Sequence, residues 1–113
     1  MHEFSMALEV ISLAQREAAK SHANTIQEIT IEVGDLSGVD ADAFESALDL
    51  LVKDSILGQA RITLVRTPGM GRCNSCNDEF EMNHRMATCP GCLCFPSEIS
   101  GGEEFRVLSL MVE

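Results

Sequence analysis

Residues 73–92 read CNSCNDEFEMNHRMATCPGC, two Cys-x-x-Cys turns separated by twelve residues. A gap of two residues lets both thiolates of one turn point at a single cation, while backbone NH groups of the turn soften their charge. Two such turns, brought face to face by the hairpin between them, place four sulfurs at tetrahedral corners. That is the geometry of structural Zn(II), whose filled d shell imposes no other preference. Cys73, Cys76, Cys89 and Cys92 are therefore the expected ligands. With four protein ligands no coordination position is left for a substrate, so the quartet reads as a staple and not as an active site.

The same cysteines fit other chemistry. Two disulfides would suit a secreted chain, but MHEFSMALEV lacks the basic segment and continuous apolar run of a signal peptide. No apolar run is long enough to span a bilayer. A reducing, cytoplasmic setting is expected, with no membrane partner. A redox Cys-x-x-Cys is ordinarily single and opens a helix after a strand, unlike this facing pair. An iron–sulfur or rubredoxin-like centre uses the same ligands, so ligand type alone leaves iron beside zinc.

The chain has 113 residues and a formal net charge of −10. An acidic chain repels phosphate backbones, which weakens nucleic-acid binding, the usual first reading of a small zinc ribbon. Between Met70 and Ser100, Arg72 and Arg85 are outnumbered by Asp78, Glu79, Glu81 and Glu98. No basic stripe remains for a nucleic acid. Nor does any nucleophile–base pairing suggest an enzyme.

Upstream, the first twenty residues predict an amphipathic helix, with Phe4, Ala7, Leu8, Ile11, Ala14 and Ala18 recurring at three- and four-residue steps. Ile26 to Val33 alternates as a half-buried strand, with Ile29, Ile31 and Val33 on one side. After the Gly34–Val39 loop, Asp40 stands at a helix N-cap. A second helix carrying Phe44, Ala47, Leu48 and Leu51 follows and is expected to end around Ser55 to Gly58. A second strand runs from about Ala60 to Arg66.

Pro68-Gly69-Met70-Gly71 and Ser100-Gly101-Gly102 read as hinges into and out of the cysteine module. Phe105 to Val112 predicts a last strand, and apolar residues on both its faces suggest a central, covered place. The expected fold is α+β: a three-stranded sheet covered by two helices, with an inserted zinc-ribbon-like module. Residues 1–69 with 102–113 form one domain in this reading, and residues 70–101 form the zinc-binding module.

Met1-His2-Glu3 opens the chain, and no leader is expected ahead of it. The free amine of Met1, the amide nitrogen of His2 and its imidazole can close adjoining chelate rings around one cation. Deprotonated amide nitrogen suits Ni(II) or Cu(II) in tetragonal geometry and gives Zn(II) little advantage. A fourth donor would come from Glu3 or elsewhere. Against this, an early His in most proteins has no function, Glu3 can simply complement the helix dipole, and Asp40 can simply cap its helix. His22 falls in a turn. His84 lies between the cysteine pairs, where it could approach zinc, and Cys94 reads as a small apolar residue or a spare thiol.

MHEFS at the start, IEVGDLSGVD before a Phe-containing helix, the paired cysteines and the closing GGEEFRVLSL together resemble the HypA family of nickel-insertion accessory proteins, including its HybF paralogues. The likeness covers essentially the whole chain. It implies a nickel metallochaperone for nickel–iron hydrogenase maturation. Nickel would be held at His2, with Glu3 and Asp40 as further ligands, and structural zinc at Cys73, Cys76, Cys89 and Cys92. The implied partners are the GTPase HypB and the hydrogenase large-subunit precursor, with urease and its accessory proteins as further clients of some relatives. The alternative is an acidic zinc-ribbon adaptor, or a nucleic-acid-binding protein, without nickel function. One departure concerns the second knuckle: Leu93 follows the last ligand where the family commonly has Gly, and a left-handed turn is costly for Leu. Asn77, after the first pair, tolerates that conformation better.

Overall fold

The computed structural model describes residues 2–113. In chain order its elements are α1 (Glu3–Lys20), β1 (Ile26–Gly34), α2 (Ala41–Leu51), β2 (Arg61–Thr67), β3 (Gly69–Cys73), β4 (Asp78–Met82), β5 (Glu98–Gly101) and β6 (Phe105–Val112). The strands form two three-stranded sheets, ordered β2-β1-β6 and β4-β3-β5. Contacts divide the chain into two compact units. One is Met1–Ile31 with Asp40–Val65 and Arg106–Glu113; the other is Glu32–Val39 with Arg66–Phe105. The second unit thus takes in the loop after β1 as well as the cysteine region. Among the described residues no helix is long and apolar enough to cross a membrane.

In the first unit α1 packs against α2. The buried stripe of α1 is Ala7, Val10, Ile11, Ala14 and Ala18. Small residues dominate it, which lets helices approach closely. Phe4 and Leu8, expected in that stripe, lie at its margin and are about half exposed. Helix α2 buries Phe44, Ala47 and Leu48 and stops at Leu51, several residues before the expected end. Ser55 supplies the reason: its hydroxyl donates to the Val52 carbonyl and accepts from the Leu57 amide, a local turn that competes with helical bonding.

Strand β1 is central, and its alternation buries Ile29, Ile31 and Val33 as its sequence predicts. Each such side chain contributes roughly 1.5–3 kcal/mol of transfer free energy. Strand β6 runs antiparallel to it. Gly34 N donates to Glu104 O at one end, and Glu113 N donates to Thr25 O at the other. On the other side β2 follows β1 in the same direction, with Glu28 beside Arg61 near their starts and Asp35 N donating to Thr67 O near their ends. Helix α2 makes the crossover that a parallel pair requires.

The central place expected for the last strand is not found: β6 is an edge, with Leu108 47% and Met111 52% exposed. Apolar residues on both faces cannot distinguish a covered strand from an edge strand, because pairing is decided by the other chain segments.

In the second unit β3 is central, antiparallel to both β4 and β5. The two glycine-rich stretches expected to be hinges are held. Gly69 opens β3, and Gly101 closes β5. Gly102 has φ +88, and a Cβ on it would lie 2.4 Å from the Gly69 Cα. A Cβ on Gly34 would lie 2.1 Å from the Gly102 carbonyl oxygen. Three backbones cross here without side chains between them. The glycines permit close approach, and chain freedom is not their role.

Candidate metal centres

The β3–β4 hairpin ends with Cys73 opposite Asp78. The turn between these strands carries Cys76, and the later loop before β5 carries Cys89 and Cys92. The four sulfurs all lie within 4.8 Å of one another. Zn–S bonds of about 2.3 Å in tetrahedral array would set them roughly 3.8 Å apart. The donor set and its spacing fit a four-thiolate cation. Cys73 and Cys89 are 1% and 2% exposed, while Cys76 and Cys92 are half-buried. One sulfur of each turn therefore faces the core and one faces the rim. The cysteines form much of that small core, with Leu36, Phe80 and Met82. So little apolar volume leaves stability dependent on a staple.

Each cysteine pair is followed by a residue in the left-handed conformation. Asn77 has φ +57 and Leu93 φ +61, so Leu93 adopts the left-handed conformation despite its side chain. Leu93 N donates to Cys89 O at 2.7 Å, Cys89 N to Cys94 O at 2.8 Å, and Gly91 N to Cys89 Sγ at 3.4 Å. The amide of Cys94, and then Cys73, draws the Cys92 thiol below its ordinary value. Hydrogen bonds with Cys92 and then Cys89, together with burial, push Cys76 up to about 12. Protons and a cation therefore compete for the same sulfurs.

The acidic surroundings expected from composition are ordered. Arg72 lies between Glu79 at 3.7 Å and Glu98 at 3.6 Å on the flanking strands. Arg85 donates to the Leu36 carbonyl at 2.8 Å and to Glu103 at 2.9 Å. Arg85 thus ties the segment between the cysteine pairs to the loop after β1, a role that no spacing in the sequence announces. His84 Nδ1 accepts from the Met86 amide at 3.2 Å, which makes it a turn residue.

At the other candidate site His2 is exposed and stands at the N-cap of α1, where its carbonyl accepts from Met6 N and from the Ser5 hydroxyl. The Met1 amine named with it lies outside the described residues. Asp40 caps α2: its Oδ1 accepts from Ala43 N at 3.1 Å. Its own amide donates to Glu3 Oε2 at 3.0 Å. Glu3 and Asp40, 37 residues apart in sequence, are therefore brought together, through the Asp40 main chain rather than its carboxylate.

A small α+β protein with a four-thiol metal centre is the class these features define. Residues 1–112 match the family described as "Hydrogenase/urease nickel incorporation, metallochaperone, hypA". The chain belongs to the HypA family. A hydrogenase maturation factor HypA of Geobacter metallireducens is 36% identical over 113 residues, covering 100% of both chains. Another, from Francisella philomiragia, is 34% identical over 111 residues and covers 98% of each. The solution structure of the Ni metallochaperone HypA from Helicobacter pylori superposes with a TM-score of 0.65 at 28% identity, covering 99% of this chain and 97% of that one.

Proposed function

We propose that this chain binds Ni(II) near its amino terminus and delivers it to the large-subunit precursor of nickel–iron hydrogenase in the cytoplasm. The GTPase HypB is the cooperating partner, and urease accessory proteins are further recipients in this reading. Nickel is cargo, held by His2 with Glu3, Asp40 and the Met1 amine. Zn(II) is structural, on Cys73, Cys76, Cys89 and Cys92. Residues 1–69 with 102–113 carry nickel, and residues 70–101 carry zinc. No catalytic step is assigned, because four sulfur ligands close the zinc site to substrate.

The observation that carries the reading is the bond from the Asp40 amide to Glu3, immediately beside an exposed His2. That bond holds Glu3 against the main chain of Asp40, which supports reading both as neighbours of His2 in a nickel site. A chelate built on a chain end releases its metal by moving only a few residues. Imidazole, amine and amide nitrogens all regain protons as pH falls, so nickel is held less tightly in acid.

Titration calorimetry of untagged protein with Ni(II) tests the proposal. His2→Ala, or a tag fused ahead of Met1, is expected to abolish most of the affinity. Unchanged affinity would sink the terminal site. Cys76→Ser should lose zinc and keep nickel; equal loss of both metals would contradict separate sites.

A further inference from the structure

Leu36, in the loop between β1 and Asp40, is gripped by side chain and main chain alike. Its side chain lies in the small core of the cysteine unit, with Phe80 and Met82. Its amide donates to the Gly102 carbonyl at 2.7 Å. Its carbonyl accepts from Arg85 Nη2 at 2.8 Å, and the same nitrogen donates to Glu103 Oε2 at 2.9 Å. Glu103 follows Gly102 in the chain, so a closed ring of bonds runs from the Leu36 amide through Gly102, Glu103 and Arg85 back to the Leu36 carbonyl. Both Arg85 bonds have an ionised donor, which makes them the stronger kind. The Ser37 amide, on the same peptide group as that carbonyl, donates to Gly34 O at 3.1 Å. Both polar ends of the 36–37 peptide are therefore bonded, and its plane is set. Beyond it the loop turns on itself: Val39 N donates to Ser37 Oγ at 3.2 Å, and Gly38 stands at φ +85 in open space. The next amide after Val39 is that of Asp40, which holds Glu3 at 3.0 Å. Gly38 permits other paths for the loop, so where Asp40 stands depends on how firmly the peptide before it is held.

We propose, on the reading of His2, Glu3 and Asp40 as nickel ligands, that Arg85 is a positioning residue for that site. A guanidinium stays protonated and does not ligate a cation, so Arg85 acts through the main chain. It fixes the 36–37 peptide, the loop then delivers the Asp40 amide to Glu3, and Glu3 is kept beside His2. Without Arg85 the second half of the loop populates other paths. Apparent affinity falls with the fraction of chains that hold the competent one. Outer groups that orient metal ligands are typically worth about 10–100-fold in affinity. Arg85 acts one step further out, across a glycine, so a weakening of roughly three- to tenfold is expected on its removal.

The test compares Arg85→Ala, Arg85→Lys and Glu103→Gln with wild type, using the untagged full chain with zinc bound. None of these changes removes a thiol, so zinc content should stay at the wild-type level. Amide hydrogen exchange followed by NMR reads the loop directly. The Asp40 amide should exchange faster in Arg85→Ala, while the Ile31 amide of β1, which reports general stability, keeps its wild-type rate. Calorimetry with Ni(II) should show the weakening given above. Most of the loss should be recovered in Arg85→Lys, whose ammonium can donate to the same two oxygens, and Glu103→Gln should show a smaller one. A residue that only stabilised the fold would behave otherwise: Arg85→Ala would speed Ile31 and Asp40 alike and keep nickel affinity, and that result would overturn the proposal. Unchanged Asp40 exchange in both Arg85→Ala and Glu103→Gln would overturn it too. Nickel affinity indifferent to His2→Ala would reject the terminal site itself. Affinity that depends on His2 but is unmoved by Arg85→Ala would reject only the positioning role.

Discussion

The amide of Asp40 donates to the Glu3 carboxylate at 3.0 Å, tying the first turn of α1 to the first residue before α2. Asp40 thereby has three separable functions: its NH positions Glu3, its Oδ1 caps α2, and its carboxylate is a proposed nickel donor.

Substitutions at Asp40 can separate these. Asp40→Ala should destabilise the protein by about 1 kcal/mol through loss of the cap, whereas Asn or Ser at this position caps nearly as well. Asp40→Asn should therefore keep thermal stability yet weaken Ni(II) binding. If calorimetry shows full nickel affinity in a normally stable Asp40→Asn protein, Asp40 is a cap and not a ligand.

Leu93 holds φ +61 while 76% exposed, so its side chain recovers little of the conformational cost through packing. Leu93→Gly should relieve that strain, partly offset by glycine's greater freedom in the unfolded chain, for a net gain of about 0.5 kcal/mol. Leu93→Ala should give no such gain. Denaturant unfolding of the zinc-loaded proteins distinguishes them, and equal stability of both variants would refute the strain argument.

The glycine crossing predicts a contrast. Gly38 has φ +85 with nothing near its missing Cβ, so Gly38→Ala should cost only about 1 kcal/mol of left-handed strain. Gly102→Ala adds collision with the Gly69 backbone to a similar strain, for a loss of roughly 3 kcal/mol or more. Comparable midpoints in urea for the two variants would mean that the crossing is looser than described.

Zinc affinity should depend on pH in one direction. Cys76 keeps its proton up to about 12 because Cys92, Cys89 and burial favour its thiol form, so a cation must displace that proton. More protons mean stronger competition, and apparent zinc affinity should rise steadily with pH across the neutral range. Chelator competition at several pH values checks this; a flat profile would show that the thiols are already ionised before metal arrives.

Much of this protein is legible from local sequence. The cysteine spacing singles out four thiols as candidate ligands because a chelating turn is a short-range object, and the structure brings the same four sulfurs within 4.8 Å of one another. The 3.6- and two-residue periods locate α1, α2, β1 and β2 to within a few residues, since a buried face must repeat at the pitch of its own element. Asp40 is recognisable as a cap for the same reason: its partner, Ala43, is three residues away.

Tertiary structure decided what depends on distant segments. Whether β6 lies inside or at the edge follows from which strands pair, and its two-faced apolar pattern is compatible with either. Glycines that read as hinges are places where β3, the segment after β5 and the end of β1 pass at backbone contact, and glycine spells freedom and tightness alike. The meeting of Glu3 with the Asp40 amide, and of Arg85 with the Leu36 carbonyl, joins residues 37 and 49 positions apart. Periodicity and spacing report only on neighbours; contacts of that range exist once the whole chain has closed on itself.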